Sequence, residues 1–157
     1  MKINCGSGKK PYRGYTTIDI EPSNNPDIVG DFRTMNFSDI EEIRAEHILE
    51  HFGRDEAIQV LHLWHSWLKP GGTLIIETPD FEKVCEGFAS QTTTDGKYWF
   101  VRHLYGSQEA EWAYHRDGWY EDKFKKVLPE IGFEITGIVR STSRGILPNI
   151  KVAAKKI

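Results

Sequence analysis

No apolar run in this 157-residue sequence reaches the roughly 18 residues of a membrane span, so a helical membrane crossing is excluded. The N-terminus has neither the apolar core nor the small-residue cleavage site of a secretory signal, and the expected address is cytoplasmic. Charge of one sign is also scarce. A net charge of -3 and a pI near 6.1 leave no electrostatic footprint for phosphate backbones, so no nucleic-acid partner is expected. There are two cysteines, Cys5 and Cys85, too far apart in sequence to form a metal-type pair; this suits a reducing compartment, and no bound metal is expected. Repeats, low-complexity tracts and linkers are missing as well. The chain carries no Gly-x-Ser-x-Gly elbow, and Gly6-Ser7-Gly8-Lys9 lacks the remaining spacing of a P-loop.

What is present is enough for one domain over residues 1–157. Apolar residues make up 39% and charged residues 27%, with five Trp and eight Phe as bulky core material. Strand and helix signals alternate, which predicts an α/β fold with mainly parallel strands. Ile3 to Cys5, Tyr15 to Ile20 and Asp27 to Gly30 read as the first three strands. Pro11 and Gly14 make a long helix between the first two improbable. Ala57, Val60, Leu61, Trp64 and Leu68 have helical spacing, and Leu68-Lys69-Pro70-Gly71-Gly72 ends that helix. Thr73 to Thr78 predicts a central strand. Tyr120, Phe124, Val127, Leu128 and Ile131 predict a second helix ending near Gly132, and Phe133 to Val139 with Asn149 to Ala154 predict a terminal hairpin. Thr92 to Trp119 is the least regular stretch, with the character of a lid or substrate loop or of an ordinary surface excursion.

The chemistry concentrates near the start. Asn4-Cys5-Gly6-Ser7-Gly8 is a glycine turn after a strand, and glycine lets backbone amides approach a ligand that a side chain would block. Asp19 closes the second strand, where a carboxylate can accept from both ribose hydroxyls, and Asp31 closes the third. Asp19 follows Gly8 by eleven positions and no third glycine is present, which is too early an acid for a dinucleotide fingerprint. Further on, His47-x-x-Glu50-His51 matches the H-x-x-E-H string of inverted zinc peptidases, whose histidines stand one helical turn apart; this is a minor reading. Trp112, Trp119 and Tyr120 are candidates for a substrate slot, although aromatics near a helix start belong more often to a core.

Ile3-Asn4-Cys5-Gly6-Ser7-Gly8, Gly14-Tyr15 through Asp19-Ile20, and His47-Ile48-Leu49-Glu50-His51 followed by Leu68-Lys69-Pro70-Gly71-Gly72 resemble the motifs of the compact class I S-adenosylmethionine-dependent methyltransferases, the type 11 and type 12 branch. The resemblance covers nearly the whole chain. It implies a Rossmann-like three-layer sandwich with a mainly parallel seven-stranded sheet, trimmed N-terminal helices and an antiparallel C-terminal strand. It also implies S-adenosyl-L-methionine as cofactor, with Gly6, Ser7 and Gly8 cradling the methionine end and Asp19, followed by Ile20, holding the ribose. Asp31 and the Phe32 amide would meet the adenine edge, and His47 would lie beside the cofactor. The implied reaction is methyl transfer to an oxygen or nitrogen of a small molecule or sugar. His47, Glu50, His51 and His115 are the catalytic candidates, and His103 and Tyr105 come from the irregular stretch that could fold over them. With no N-terminal helix before the first strand, closing the pocket is left to a lid or to a second subunit in a homodimer. The alternatives are a non-catalytic module that binds the cofactor and, on weaker grounds, an NAD-binding oxidoreductase or an H-x-x-E-H zinc hydrolase.

Overall fold

Apolar and polar residues alternate along the strands, and that period of two decides which face of the sheet each side chain joins. In β1 (Lys2–Cys5), Ile3 and Cys5 are buried on one face. β4 (Ile40–Glu46) puts Ile43 and Ala45 on that face and Glu42, Arg44 and Glu46 on the other. β5 (Leu68–Pro79) does the same with Leu74 and Ile76 against Ile75 and Glu77. With β2 (Thr16–Asp19), β3 (Ile28–Val29), β6 (Phe133–Ser143) and β7 (Leu147–Lys156), they form a seven-stranded sheet of order β3-β2-β1-β4-β5-β7-β6. The first five strands of that order are parallel, while β7 runs antiparallel to both β5 and β6. This computed structural model describes residues 1–10 and 12–157. Pro11, which bore on the missing crossover helix, lies outside the described residues.

Two amphipathic helices cover the apolar face. α1 (Arg54–Trp67) buries Ala57, Val60, Leu61, Trp64 and Trp67, and Leu68, expected as its last residue, instead starts β5. α4 (Glu121–Ile131) buries Phe124 and Leu128 and ends at Gly132, whose φ of 108° suits the left-handed cap that glycine accepts. Phe32, Phe52, Trp64 and Trp67 meet here through tilted and edge-on ring contacts. Each such side chain, when fully buried, stabilises the fold by about 1.5–3 kcal/mol.

The irregular stretch holds a helix that its sequence does not announce. α3 (Thr94–Tyr105) follows α2 (Phe81–Ser90), and the two pack together and against β7, joined by Val84, Phe100 and Leu147. They cover one end of the second sheet face. The rest of that face is a charged lattice. Lys151 Nζ lies 2.9 Å from Glu46 Oε1 and 2.7 Å from Glu77 Oε2, and Arg44 stacks over Tyr12 while its Nη1 lies 2.7 Å from Glu46. Trimming of the early helices explains this: among the described residues between β1 and β4 the helical elements are short 3-10 turns at Pro22–Asn24 and Phe32–Thr34. Among the described residues no helix is long and apolar enough to cross a membrane.

Candidate functional site

The strand order reverses between β1 and β4, the point at which open α/β sheets bind ligands beyond their carboxyl ends. The glycine turn leaves β1 there, but not as a row of free donors. Gly6 N and Ser7 N both donate to Ile18 O, at 2.8 and 3.2 Å, and Gly8 N donates to Asp19 Oδ2 at 2.7 Å. These three donors, expected as an amide cradle, tie the turn to β2 in this structure. Glycine is required at position 6 for another reason. Its φ is +63°, and a Cβ would fall 2.7 Å from Ile48 Cδ1. The bare Cα lets the β1 and β4 loops close together beside a cavity.

That cavity, of about 320 Å³, is bordered by Gly6, Asp19, Ile20, Asp31, Phe32 and His47, the residues expected around the cofactor. Ser7 and Gly8 lie outside its lining, and Ser7 instead borders a smaller adjoining hollow with Asn4, Lys10, Tyr12, Glu46 and His47. Asp19 is buried and accepts from Gly8 N, Glu21 N and Asn24 Nδ2, using about three of a carboxylate's four acceptor positions. Asp31 is bound by the Arg33 guanidinium, which holds its carboxyl below the usual range. Phe32 is buried in the core and also borders the cavity.

His47 to His51 do not form a helix. β4 ends at Glu46, His47 has a left-handed φ of 55°, and Leu49–His51 is a single 3-10 turn, so the peptidase geometry is not met. The two histidines serve different partners. His47 Nδ1 lies 3.2 Å from Glu50 Oε1 and Nε2 lies 3.7 Å from Glu77 Oε1. Burial disfavours its cation, but the two carboxylates outweigh that and push its pKa up to about 9. A ring held protonated at neutral pH has no free lone pair with which to take up an acceptor's proton. His51 Nδ1 donates to Tyr114 O at 3.0 Å. His115 Nε2 approaches Glu50 Oε1 at 3.9 Å, and burial pushes its pKa down, favouring the neutral ring. The Glu50 carboxylate is about 1% exposed; burial raises its pKa, yet the three nearby histidines hold it ionised, below its usual range.

The segment after α3 is pinned onto this turn, because Arg116 N and Asp117 N donate to Glu50 O and His115 N donates to Tyr105 O. It adds Glu111, Trp112 and Arg116 to the first cavity. A second cavity of about 340 Å³ is bordered by Glu50 and His115 and walled by Leu104, Tyr105 and Trp119. His103 borders a third hollow with His47 and His115; its Nε2 is engaged by Asn149 Oδ1 and Pro148 O. Of the aromatic candidates, Trp112 is 49% exposed at the first cavity and Trp119 is buried on Phe124, while Tyr120 borders a further surface hollow that shares Phe81, Arg116, Asp117 and Gly118 with the second cavity. Sequence reasoning missed Glu46, Glu77 and Lys151. The alternations Ile43-Arg44-Ala45-Glu46 and Ile150-Lys151-Val152 carried the signal of a polar sheet face.

No family model and no curated protein matches the chain. Solved structures do. A SAM-dependent methyltransferase from Methanosarcina mazei is 15% identical, with 99% of this chain and 92% of that one covered at a TM-score of 0.68. The 1,6-didemethyltoxoflavin-N1-methyltransferase of Burkholderia thailandensis, solved with S-adenosylhomocysteine, is 14% identical, with coverages of 99% and 70% and a TM-score of 0.66. Magnesium protoporphyrin IX methyltransferase from Synechocystis, with the same ligand bound, is 13% identical, with coverages of 100% and 74% and a TM-score of 0.66. The chain thus has the Rossmann-like fold of the class I S-adenosylmethionine-dependent methyltransferases.

Proposed function

We propose that the chain binds S-adenosyl-L-methionine in the first cavity and transfers its methyl group to an oxygen or nitrogen of a small molecule, sugars included, held in the second. The observation that carries this reading is the cavity at the strand-order reversal, bounded by Gly6 after β1, Asp19 at the end of β2 and Asp31 after β3, in a fold shared with methyltransferases. Bound there, the cofactor supplies an activated methyl group on a sulfonium.

The chain's own residues then have distinct tasks. Asp19 offers its remaining acceptor capacity to the ribose hydroxyls. His47, shared between the first cavity and the smaller hollow and held by Glu50 and Glu77, forms the wall against which the methionyl end would lie. Glu50 and His115 border the second cavity, with His51 beside them at the edge of the first, and there an attacking hydroxyl or ammonium must lose its proton. Trp112 and Glu111 wall the first cavity and limit water there, and the rest of the work is alignment of the acceptor with the methyl group.

Calorimetric titration with S-adenosylhomocysteine tests this reading. Saturable binding at one site per chain is expected. Absence of binding, or binding of NADH instead, overturns it; binding without methyl transfer to a broad acceptor panel supports the non-catalytic module.

A further inference from the structure

Three ligating groups meet at the wall between the two cavities. Glu50, His51 and His115 each bring one donor atom within 4.8 Å of the others, the one such group of three among the described residues. A second observation points to a ligand: Glu50 is almost fully buried, and while its Oε1 is engaged by His47, its Oε2 has no hydrogen-bond partner. A buried carboxylate oxygen left unpaired is costly, and an ionised one more so.

The histidines are arranged for the same ligand. The His51 Nδ1 hydrogen bond to Tyr114 O leaves Nε2 with its lone pair, the arrangement in which the second ring nitrogen of a metal-bound imidazole donates to a backbone carbonyl. The two rings meet edge-on with centroids 4.8 Å apart. The backbone bonds from Arg116 and Asp117 to Glu50 O fix His115 against the turn that carries the other two groups.

We infer that Glu50, His51 and His115 form a site for one divalent first-row transition-metal cation, zinc being the best match to two imidazoles and a carboxylate. Three protein ligands with an open fourth position is the pattern of catalytic rather than structural zinc sites. With metal–ligand bonds of roughly 2.0–2.1 Å, tetrahedral donors stand about 3.3 Å apart. The side chains must therefore close by about 1.5 Å at most, a displacement that small torsional changes supply. His47 is not a ligand; its ring is committed to Glu50 Oε1 and Glu77. The ligand set thus differs from that of the H-x-x-E-H string, taking its second histidine from sixty-four positions beyond His51.

The use of such a cation rests on the methyl-transfer reading. Glu50 and His115 border the cavity assigned to the acceptor, so a cation held by them would be within reach of a hydroxyl oxygen there and would lower its pKa. The acceptor class it selects is therefore a hydroxyl-bearing small molecule, with an oxygen rather than a nitrogen methylated.

The test is zinc titration by calorimetry into the full chain after chelator treatment, with cobalt absorption in the visible as a second probe. One equivalent is expected to bind, at least 100-fold more weakly in His115→Ala and in His51→Gln, and unchanged in Cys85→Ser, which removes the exposed thiol. Circular dichroism checks that each variant is folded; Glu50→Gln, nearly isosteric, is the second route if a histidine variant is not. Substoichiometric binding, or equal affinity in wild type and folded His115→Ala or Glu50→Gln, overturns the site. Zinc binding without S-adenosylhomocysteine binding supports the site and removes the methyl-transfer reading, and the converse result does the opposite.

Discussion

His47 lies between two carboxylates, with Nδ1 3.2 Å from Glu50 Oε1 and Nε2 3.7 Å from Glu77 Oε1. The ring is thereby part of a chain of charge that runs from the open sheet face, through Glu46, Lys151 and Glu77, to Glu50 at the cavity wall. The pH dependence of stability follows from it. The folded-state pKa of His47 is about 9, above its ordinary 6.5, so its contribution is complete below pH 6.5 and is lost as pH rises through 9. Hydrogen bonding to His47 holds the Glu77 carboxyl at about 2, below its ordinary 4.5, so that contribution is lost as pH falls from 4.5 toward 2. Thermal midpoints should be highest between about pH 4.5 and 6.5 as far as this pair decides them. His47→Gln should flatten the decline between pH 6.5 and 9; curves that stay parallel across that range would show that His47 is not cationic in the folded protein.

Gly6→Ala should reduce both stability and cofactor affinity. The left-handed backbone costs a non-glycine residue roughly 1–2 kcal/mol, and forcing a methyl group into packed space adds typically 1–3 kcal/mol. Ile48 is the neighbour that must give way, with its Cδ1, Cγ1 and Cβ all within 3.0 Å of the new atom. Gly6→Ala with Ile48→Ala should therefore be more stable than the sum of the two single changes predicts, because the contact is removed only once. Strict additivity in urea unfolding would place the cost in the backbone alone.

The parts of this fold that were legible in the sequence are those in which one local pattern decides. The stripe from Ala57 to Trp64 builds α1, the alternation in Thr73 to Thr78 builds the centre of β5, and Gly132 stops α4. The helices α2 and α3 were not legible, because each buries little. Val84 is the one buried residue of α2 and Phe100 that of α3, while Phe81, Phe88, Tyr98 and Val101 stay exposed and blur the periodicity. Around the cavity, the residue types at the strand ends were readable one by one. The commitment of the Gly6, Ser7 and Gly8 amides to β2, and the arrival of His115 beside Glu50, depend on tertiary contacts that no local window contains.

Trp112→Ala should separate ligand affinity from folding. The side chain is half exposed and borders the first cavity, so its removal should leave the thermal midpoint nearly unchanged. An aromatic contact with a ligand is worth about 0.5–1.5 kcal/mol beyond area burial, which corresponds to roughly a tenfold loss of S-adenosylhomocysteine affinity at the upper end. Equal affinities would mean that this wall does not touch the ligand.

Gly87→Ala tests the packing of α2 against α3. In an exposed helix interior this change stabilises by about 1 kcal/mol, since alanine has the higher helix propensity. Here the outcome should have the opposite sign. A Cβ at Gly87 would collide with Cε1 and Cζ of Phe100, the buried residue through which α3 reaches the small core of Val84 and Leu147. The ring cannot move away without opening that core, so a loss of about 1–3 kcal/mol is expected in urea unfolding. Phe100→Leu, which removes the ring edge, should make the same Gly87→Ala change neutral or favourable. Because α3 leads into the segment carrying Trp112 and His115, the single variant should also weaken binding at both cavities, and the double variant should recover part of it. A stabilising Gly87→Ala in the wild-type background would show that α2 and α3 do not make this contact in solution.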